Sequence, residues 1–409
     1  MERAHLTELR LTDFKSFHDE VLPLGGFTVL IGGNAVGKSN ALEGLHALAG
    51  LGRGLTLREA LNGSPQVPGP VRGGADGCAP LGTGSFALGC SVQEGEDVYG
   101  LDILVRTGRE LSLQTEKVTW CDGRVKMRHL SRPGPIEGQD RLATVRVGQF
   151  GPPESASPES LRHHAASRAI ISALPSIVPI DPDPRTMRGY VLPDEAFLLP
   201  DGSNLSAVIE AIRAESPAAF TRLEEFAGTM SDGRVTGLDV DQTTTGEVQL
   251  LLDESSGRIP ARMASDGTLR FLAFAAALLD TVPRPGSRTP AQLVLLEEVE
   301  RGLYPGQAGT LLDLIRAETA DRARSVLVTT HSPALLAALR PEEHHDVIVC
   351  SRDPESGASH LRRLTELPGY PELIAAGGLG KAVTGNGLRD AQQERPKSAR
   401  EFFDFLESL

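Results

Sequence analysis

What this 409-residue chain lacks narrows its chemistry first. Its four cysteines, Cys78, Cys90, Cys121 and Cys350, stand far apart with no CxxC spacing, so they read as reduced thiols, with neither a disulfide framework nor a metal site. No apolar run approaches the ~20 residues that a membrane-crossing helix needs; the longest is FLAFAAALL at 271–279. The opening MERAHLTELRL has no basic stretch followed by an apolar one, so no secretory signal is read there, and a cytoplasmic protein without a membrane partner is expected. Positive charge is short as well: a formal net charge of −13 excludes a general phosphate-binding coat and confines any nucleic-acid contact to a local basic patch. Aromatics are sparse at 4%, but 40% hydrophobic and 23% charged residues are ordinary globular proportions. At roughly 150 residues per domain, the length allows about two or three compact units.

The pattern along the chain is that of an α/β protein. LTELRL, EVLPL and FTVLIG read as short strands, and Leu42, Leu45, Leu48 and Leu51 then recur at helical spacing. Residues 62–85 are dense in Gly and Pro and predict a long mobile loop. SFALGCSV, VYGLDILVRT and ELSLQTEKVTW predict an antiparallel meander, and a proline-punctuated, less regular middle follows. DGSNLSAVIEAIRA and SPAAFTRLEEFAGTM predict two helices, the second capped by Ser216 with Pro217 in its first turn. Strands return at 234–263 with ESSG as a hairpin turn, then a helix begins near Thr268. The buried strand QLVLLEE, a helix around AGTLLDLIRAETA, the strand SVLVTTHS, the helix PALLAALR, a hairpin at 346–364 and a charged C-terminal helix complete the expected order. The expected division is an N-terminal lobe at 1–150, a small helical insert at 151–230 and a C-terminal lobe at 231–409.

The chemistry concentrates at the ends of three strands. GGNAVGKS fits GxxxxGK[ST] from Gly32 to Ser39, comprising Gly32, Gly33, Asn34, Ala35, Val36, Gly37, Lys38 and Ser39. Glycines let backbone N–H groups turn inward around phosphates, Lys38 reaches the β and γ phosphates, and Ser39 offers a hydroxyl to Mg²⁺ at a helix N-terminus. The plain alternative is a glycine-rich strand-to-helix turn. QLVLLEE ends in Glu297 and Glu298; carboxylates beside a core strand suggest a cation or a reacting water. Glu297 is expected to hold Mg²⁺, and Glu298 to act as general base towards ATP. SVLVTTHSP places His331 at a third strand end, as a γ-phosphate sensor or as a structural histidine. In ASDGTLRFLAF, Ser265, Asp266 and Gly267 either cap a helix or form a second anion site that a second subunit must share.

Together, LRLTDFKSF, GGNAVGKSN with Asn40 after the loop, SDGTLRFLA, LLEEVERGLYP and VTTHSP resemble the stand-alone ATPases of the ABC class related to RecF and SMC, often called AAA-family ATPases. LLPDGSNLSAVIEAI is also similar to a segment of the shorter members. The resemblance implies a P-loop NTPase of ABC/SMC-head type: a mixed central sheet, an antiparallel β-subdomain and a small helical insert. It implies a head-to-head homodimer with two ATPs, each held between one subunit's P-loop and the other's SDG signature. Departures are Glu297 where most relatives carry Asp, ASDG in place of an LSGG type, and no coiled-coil arm; the metal-binding glutamine is unmarked, with Gln149 in VGQF as the best candidate. The function implied is an ATP-gated ATPase governing a nuclease or toxin effector in anti-phage defence or DNA maintenance. A RecF-like DNA-binding repair ATPase and a nucleotide sensor or scaffold with little turnover are the alternatives.

Other features claim less. GRVKMRHLSR at 123–132 is basic throughout, as a solvated hairpin or a nucleic-acid contact. His163–His164 and His344–His345 lack ligand spacing, and neither DPD at 181–183 nor DVD at 239–241 comes with the further domain a fused nuclease needs.

Overall fold

The computed structural model describes residues 3–64, 67–108, 111–121, 128–133, 140–150, 152, 155–193, 197–280, 292–301, 304–320, 324–375 and 379–380. The chain opens with β1 (His5–Phe14), β2 (Phe17–Pro23) and β3 (Phe27–Ile31), followed by α1 (Lys38–Gly52) and α2 (Leu57–Asn62). The short strands β4 (Gly63–Ser64) and β5 (Val67–Pro68) precede β6 (Ser85–Glu94), β7 (Asp97–Arg106), β8 (Ser112–Cys121) and β9 (Arg128–Pro133). Helices α3 (Ala143–Gln149) and α4 (Pro158–Ala173), β10 (Ile177–Ile180), α5 (Leu205–Glu215) and α6 (Pro217–Met230) follow. The rest comprises β11 (Val235–Gln242), β12 (Val248–Glu254), β13 (Gly257–Pro260), α7 (Asp266–Leu279), β14 (Leu293–Leu296), α8 (Ala308–Thr319), β15 (Ser325–Thr330), α9 (Pro333–Ala337), β16 (Val347–Arg352), β17 (Ser359–Arg363) and α10 (Tyr370–Ala375).

Two six-stranded sheets carry the molecule. One is antiparallel, in the order β2-β1-β6-β7-β8-β9; the other, β10-β14-β15-β3-β16-β17, is parallel except for β17. The middle strands β14, β15 and β3 are buried throughout, and their uninterrupted apolar runs follow from having both faces covered. Successive side chains leave opposite faces. Leu30, Leu293, Leu295 and Leu327 thus pack with α1 and the antiparallel sheet, whereas Val29, Val294, Leu296 and Val328 pack with α7 and α8. The apolar run at 271–279 is the inner part of α7, a core helix; among the described residues no helix is long and apolar enough to cross a membrane.

Several expectations change on contact with tertiary packing. The segment at 62–85 is pinned rather than loose where described: Arg72 Nε donates to Glu43 Oε1 at 2.6 Å and Lys15 N to the Cys78 carbonyl at 2.6 Å. The middle holds the 16-residue helix α4, started by the Ser157 side-chain cap with Pro158 in the first turn, and β10, which joins the parallel sheet at its edge. Ser216 occupies the cap position of α6 without a side-chain cap bond. Residues 123–127 of the basic segment and 381–409, where a charged helix was expected, lie outside the described residues. Cys78, Cys90 and Cys350 are buried free thiols, and among the described residues no group of three or more His, Cys, Asp or Glu side chains could hold a metal ion.

Candidate nucleotide site

Parallel strands deliver their C-terminal ends to one edge, where ligands of open α/β sheets bind. Here Glu297 directly follows β14, His331 follows β15 and Gly32 follows β3, and the registers Leu296↔Val328 and Thr330↔Ile31 bring the three loops side by side. The loop after β3 is built on close backbone approach. Gly32 has φ 153°, and a Cβ there would lie 2.3 Å from the Cys350 carbonyl oxygen; Gly37 has φ 120°, with 2.6 Å to Ser359 Oγ. Ala35 takes φ 60°, a positive value uncommon outside glycine. Ser359 Oγ donates to the Val36 carbonyl at 2.5 Å and Asn40 Nδ2 to Ser16 Oγ at 2.8 Å, so β17 and the β1–β2 turn brace the loop from outside.

The loop delivers α1 with Gly37 as its N-cap and no side-chain cap bond, so an anion can take the place of a capping side chain. Lys38 is buried, and its Nζ donates to the carbonyls of Gly32 at 2.8 Å and Gly33 at 2.7 Å. Burial lowers its pKa, while Glu298 and Glu300 oppose the shift. Ser39 follows in the first turn of the helix.

Opposite the loop the field is acidic. Burial pushes the Glu297 carboxyl up to about 7, reinforced by Asp181 and Glu298. Asp181, one residue past β10, is itself raised by burial, with Arg301 and Arg270 acting against it. Mg²⁺ is commonly held through one or two carboxylates, with waters and substrate phosphates completing its shell, so Glu297 with the Ser39 hydroxyl would be enough without a cluster of three acidic ligands. Glu298 has φ 45°, a strained conformation for a residue with a side chain. Its amide donates to Thr329 Oγ1 at 2.9 Å, and its carboxylate pairs with Arg301. His331 donates from its amide to Glu300 Oε1 at 2.9 Å, and its Nδ1 stands 2.6 Å from the same oxygen.

The signature lies elsewhere on the chain. Ser265 caps α7, its Oγ accepting the Thr268 amide at 3.1 Å. Asp266 pairs with Arg188, whose guanidinium also donates to the carbonyls of Arg262 at 2.9 Å and Ala264 at 2.8 Å. Ser265 and Gly267 line a cleft with Arg234, Phe271 and the exposed Tyr304. Among the described residues, none of Ser265, Asp266 and Gly267 bonds to the P-loop.

Gln149 is not brought to the carboxylates. It ends α3, one turn beyond Val145, which packs by Gly54 just past the C-terminal end of α1. Glu116 caps that helix through the Ala143 and Thr144 amides at 2.8 and 2.7 Å, fixing it at the far end of α1 from Lys38. The acid that acts on Glu297 from the neighbouring strand's end is Asp181, directly after β10 and the first residue of the DPD motif. Glu300, Thr329 and Arg188 also escaped the sequence reading; of these, only Glu300 carried a signal, as a third acid in EEVE.

Residues 27–337 match the family described as "AAA domain, putative AbiEii toxin, Type IV TA system". A DNA replication and repair protein RecF from Caulobacter sp. (strain K31) is 32% identical over 126 residues, covering 30% of this chain and 29% of that protein, so the likeness spans less than a third of the relative. Among solved structures, an SMC head bound to the C-terminal winged-helix domain of ScpA superposes with a TM-score of 0.51 at 15% identity, covering 88% of this chain and 97% of that one. The SMC head domain from Thermotoga maritima superposes at 0.44 with 14% identity, covering 88% and 98%. The match over most of its length places the chain in that AAA-domain family, and its fold is that of a P-loop ATPase of the RecF/SMC class.

Proposed function

We propose that the chain binds ATP with Mg²⁺ at the strand edge formed by Gly32–Asn40, Glu297, Glu298 and His331, hydrolyses it slowly, and closes with a second copy of itself as it does so. The observation carrying this reading is the adjacency of the three loops after β3, β15 and β14 at one edge of the parallel sheet. Lys38 exchanges its two carbonyl partners for phosphate oxygens, and the uncapped first turn of α1 supplies backbone donors. When bound, Mg²⁺ spreads the charge of the phosphate oxygens, with Ser39 and Glu297 as its protein ligands. Glu298, once released from Arg301, orients the attacking water and accepts its proton. Ser265 and Gly267 complete the partner's nucleotide site, for which Arg188 holds their loop in shape. In the cell, a cytoplasmic dimer of this kind governs a separate effector, a nuclease or toxin, in defence or DNA maintenance; the family's AbiEii description agrees with that direction.

A second reading, direct DNA binding, is favoured by the RecF relative alone. Its signature is affinity falling steeply with salt, whereas the net charge of −13 leaves little surface for it. The primary test uses ATP isotherms and phosphate release. Lys38→Ala should lose both binding and turnover, while Glu298→Gln should bind ATP and lose turnover by about 10²-fold or more. Wild-type hydrolysis by Lys38→Ala overturns the assignment.

A further inference from the structure

The turn after β14 and the turn after β15 are stitched together twice, in opposite directions. The Glu298 amide donates across to Thr329 Oγ1 at 2.9 Å, and two residues further along each chain the His331 amide donates back to Glu300 Oε1 at 2.9 Å. The same Glu300 oxygen stands 2.6 Å from His331 Nδ1. Glu300 is well shielded, at 15% side-chain exposure, whereas the histidine ring is 51% exposed. The other Glu300 oxygen is buried without a hydrogen-bond partner among the described residues. A carboxylate that serves two donors through one oxygen is held in a single orientation, and it holds its donors in turn.

We propose that Glu300 is the positioning residue of this site: it fixes His331 in the Nδ1–H tautomer and so leaves Nε2 as the ring nitrogen available to a ligand. An ionised carboxylate only accepts, so the ring nitrogen beside it carries the hydrogen. In the neutral ring Nε2 is then an acceptor; it becomes a donor to a phosphate oxygen only when the ring gains a proton, and Glu300 balances that charge. The part played by the phosphate rests on the nucleotide reading above; the tautomer does not. The residue's place in the chain fits the role. It lies two positions beyond Glu298, and its field reaches Lys38, so one short segment faces the lysine, the general base and the histidine together.

The test has two arms that fail separately. The first is nitrogen-15 NMR of the histidine-labelled, nucleotide-free full chain, recorded above the imidazole titration, with His331→Gln to assign the resonance among ten histidines. The Nδ1–H pattern is expected for His331, retained in Glu300→Asp and shifted towards Nε2–H in Glu300→Gln. An Nε2–H ring in the wild type, or a pattern unchanged in Glu300→Gln, overturns the proposal. The second arm is steady-state ATPase. Glu300→Gln should lower kcat by about 10-fold with KM within about two-fold, and should cost nothing further in a His331→Ala background, because both changes remove one device. Independent, multiplying losses overturn the coupling. Absence of turnover in the wild type would sink the ATPase reading and leave the tautomer arm to decide the Glu300 assignment.

Discussion

Glu297 bears a cost in the nucleotide-free protein. Its carboxyl, pushed up to about 7 from the usual carboxylate range by burial and by Asp181 and Glu298, binds a proton more readily in the folded chain than in the unfolded one. The folded state therefore holds the extra proton between the two values, and stability falls as pH rises from about 4.5 to about 7. Glu297→Gln removes the burden. Without nucleotide, this variant should be more stable than the wild type above pH 7, by on the order of 2–3 kcal/mol, with the difference vanishing towards pH 4. Thermal melts across pH check this, and the ranking should reverse when Mg²⁺ and ATP are added, since the variant has lost the charge that a cation neutralises. Equal melting curves at pH 8 would contradict the buried acidic cluster. Lys38 shows the complementary logic, since burial lowers its pKa and among the described residues its ammonium donates to the neutral carbonyls of Gly32 and Gly33.

Among the elements, the loop from Gly32 to Ser39 is the most constrained. Alanine at Gly32 needs both a backbone conformation that a side chain resists and the space occupied by the Cys350 carbonyl, 2.3 Å from its Cβ. The end of β3 must then part from β16, whose Val349 is the register partner of Ile31. Gly32→Ala should weaken ATP binding by more than about 10-fold and cost on the order of 1–3 kcal/mol of stability; isothermal titration with denaturant melts measures both. Unimpaired binding would mean that the backbone of this turn is not the phosphate cradle. How far such elements can be read from sequence depends on what carries them. The loop, the acids of β14 and the histidine after β15 were legible because each chemistry-bearing residue sits at the end of an apolar run that announces a strand. Strand β10 was not, because Pro179 breaks the pattern of IVPI; an edge strand tolerates a residue that cannot donate, and β10 is the edge. Missing β10 meant missing Asp181, and with it the partner of Glu297. Gln149 looked attractive by letter alone, but only packing reveals that α3 sits by the far end of α1.

At the scale of the whole molecule, the P-loop edge and the segment at the start of α7 share no bond among the described residues. If a second copy unites them, Ser265→Arg obstructs the partner's nucleotide while leaving its own P-loop intact, and Lys38→Ala does the reverse. Ser265 also caps α7, and losing that bond alone costs about 1 kcal/mol, too little to abolish activity in a folded protein. The decisive measurement is the ATPase rate of Ser265→Arg and Lys38→Ala chains mixed in varying ratio, each first shown to be folded, able to exchange subunits and inactive alone. A heterodimer contains one doubly damaged site and one built from two intact halves. Activity should return on mixing, peak near equal proportions, and coincide with one tightly bound nucleotide per dimer. No recovery, with that single nucleotide bound nowhere in the mixed dimer, would contradict a site shared between two copies of this chain.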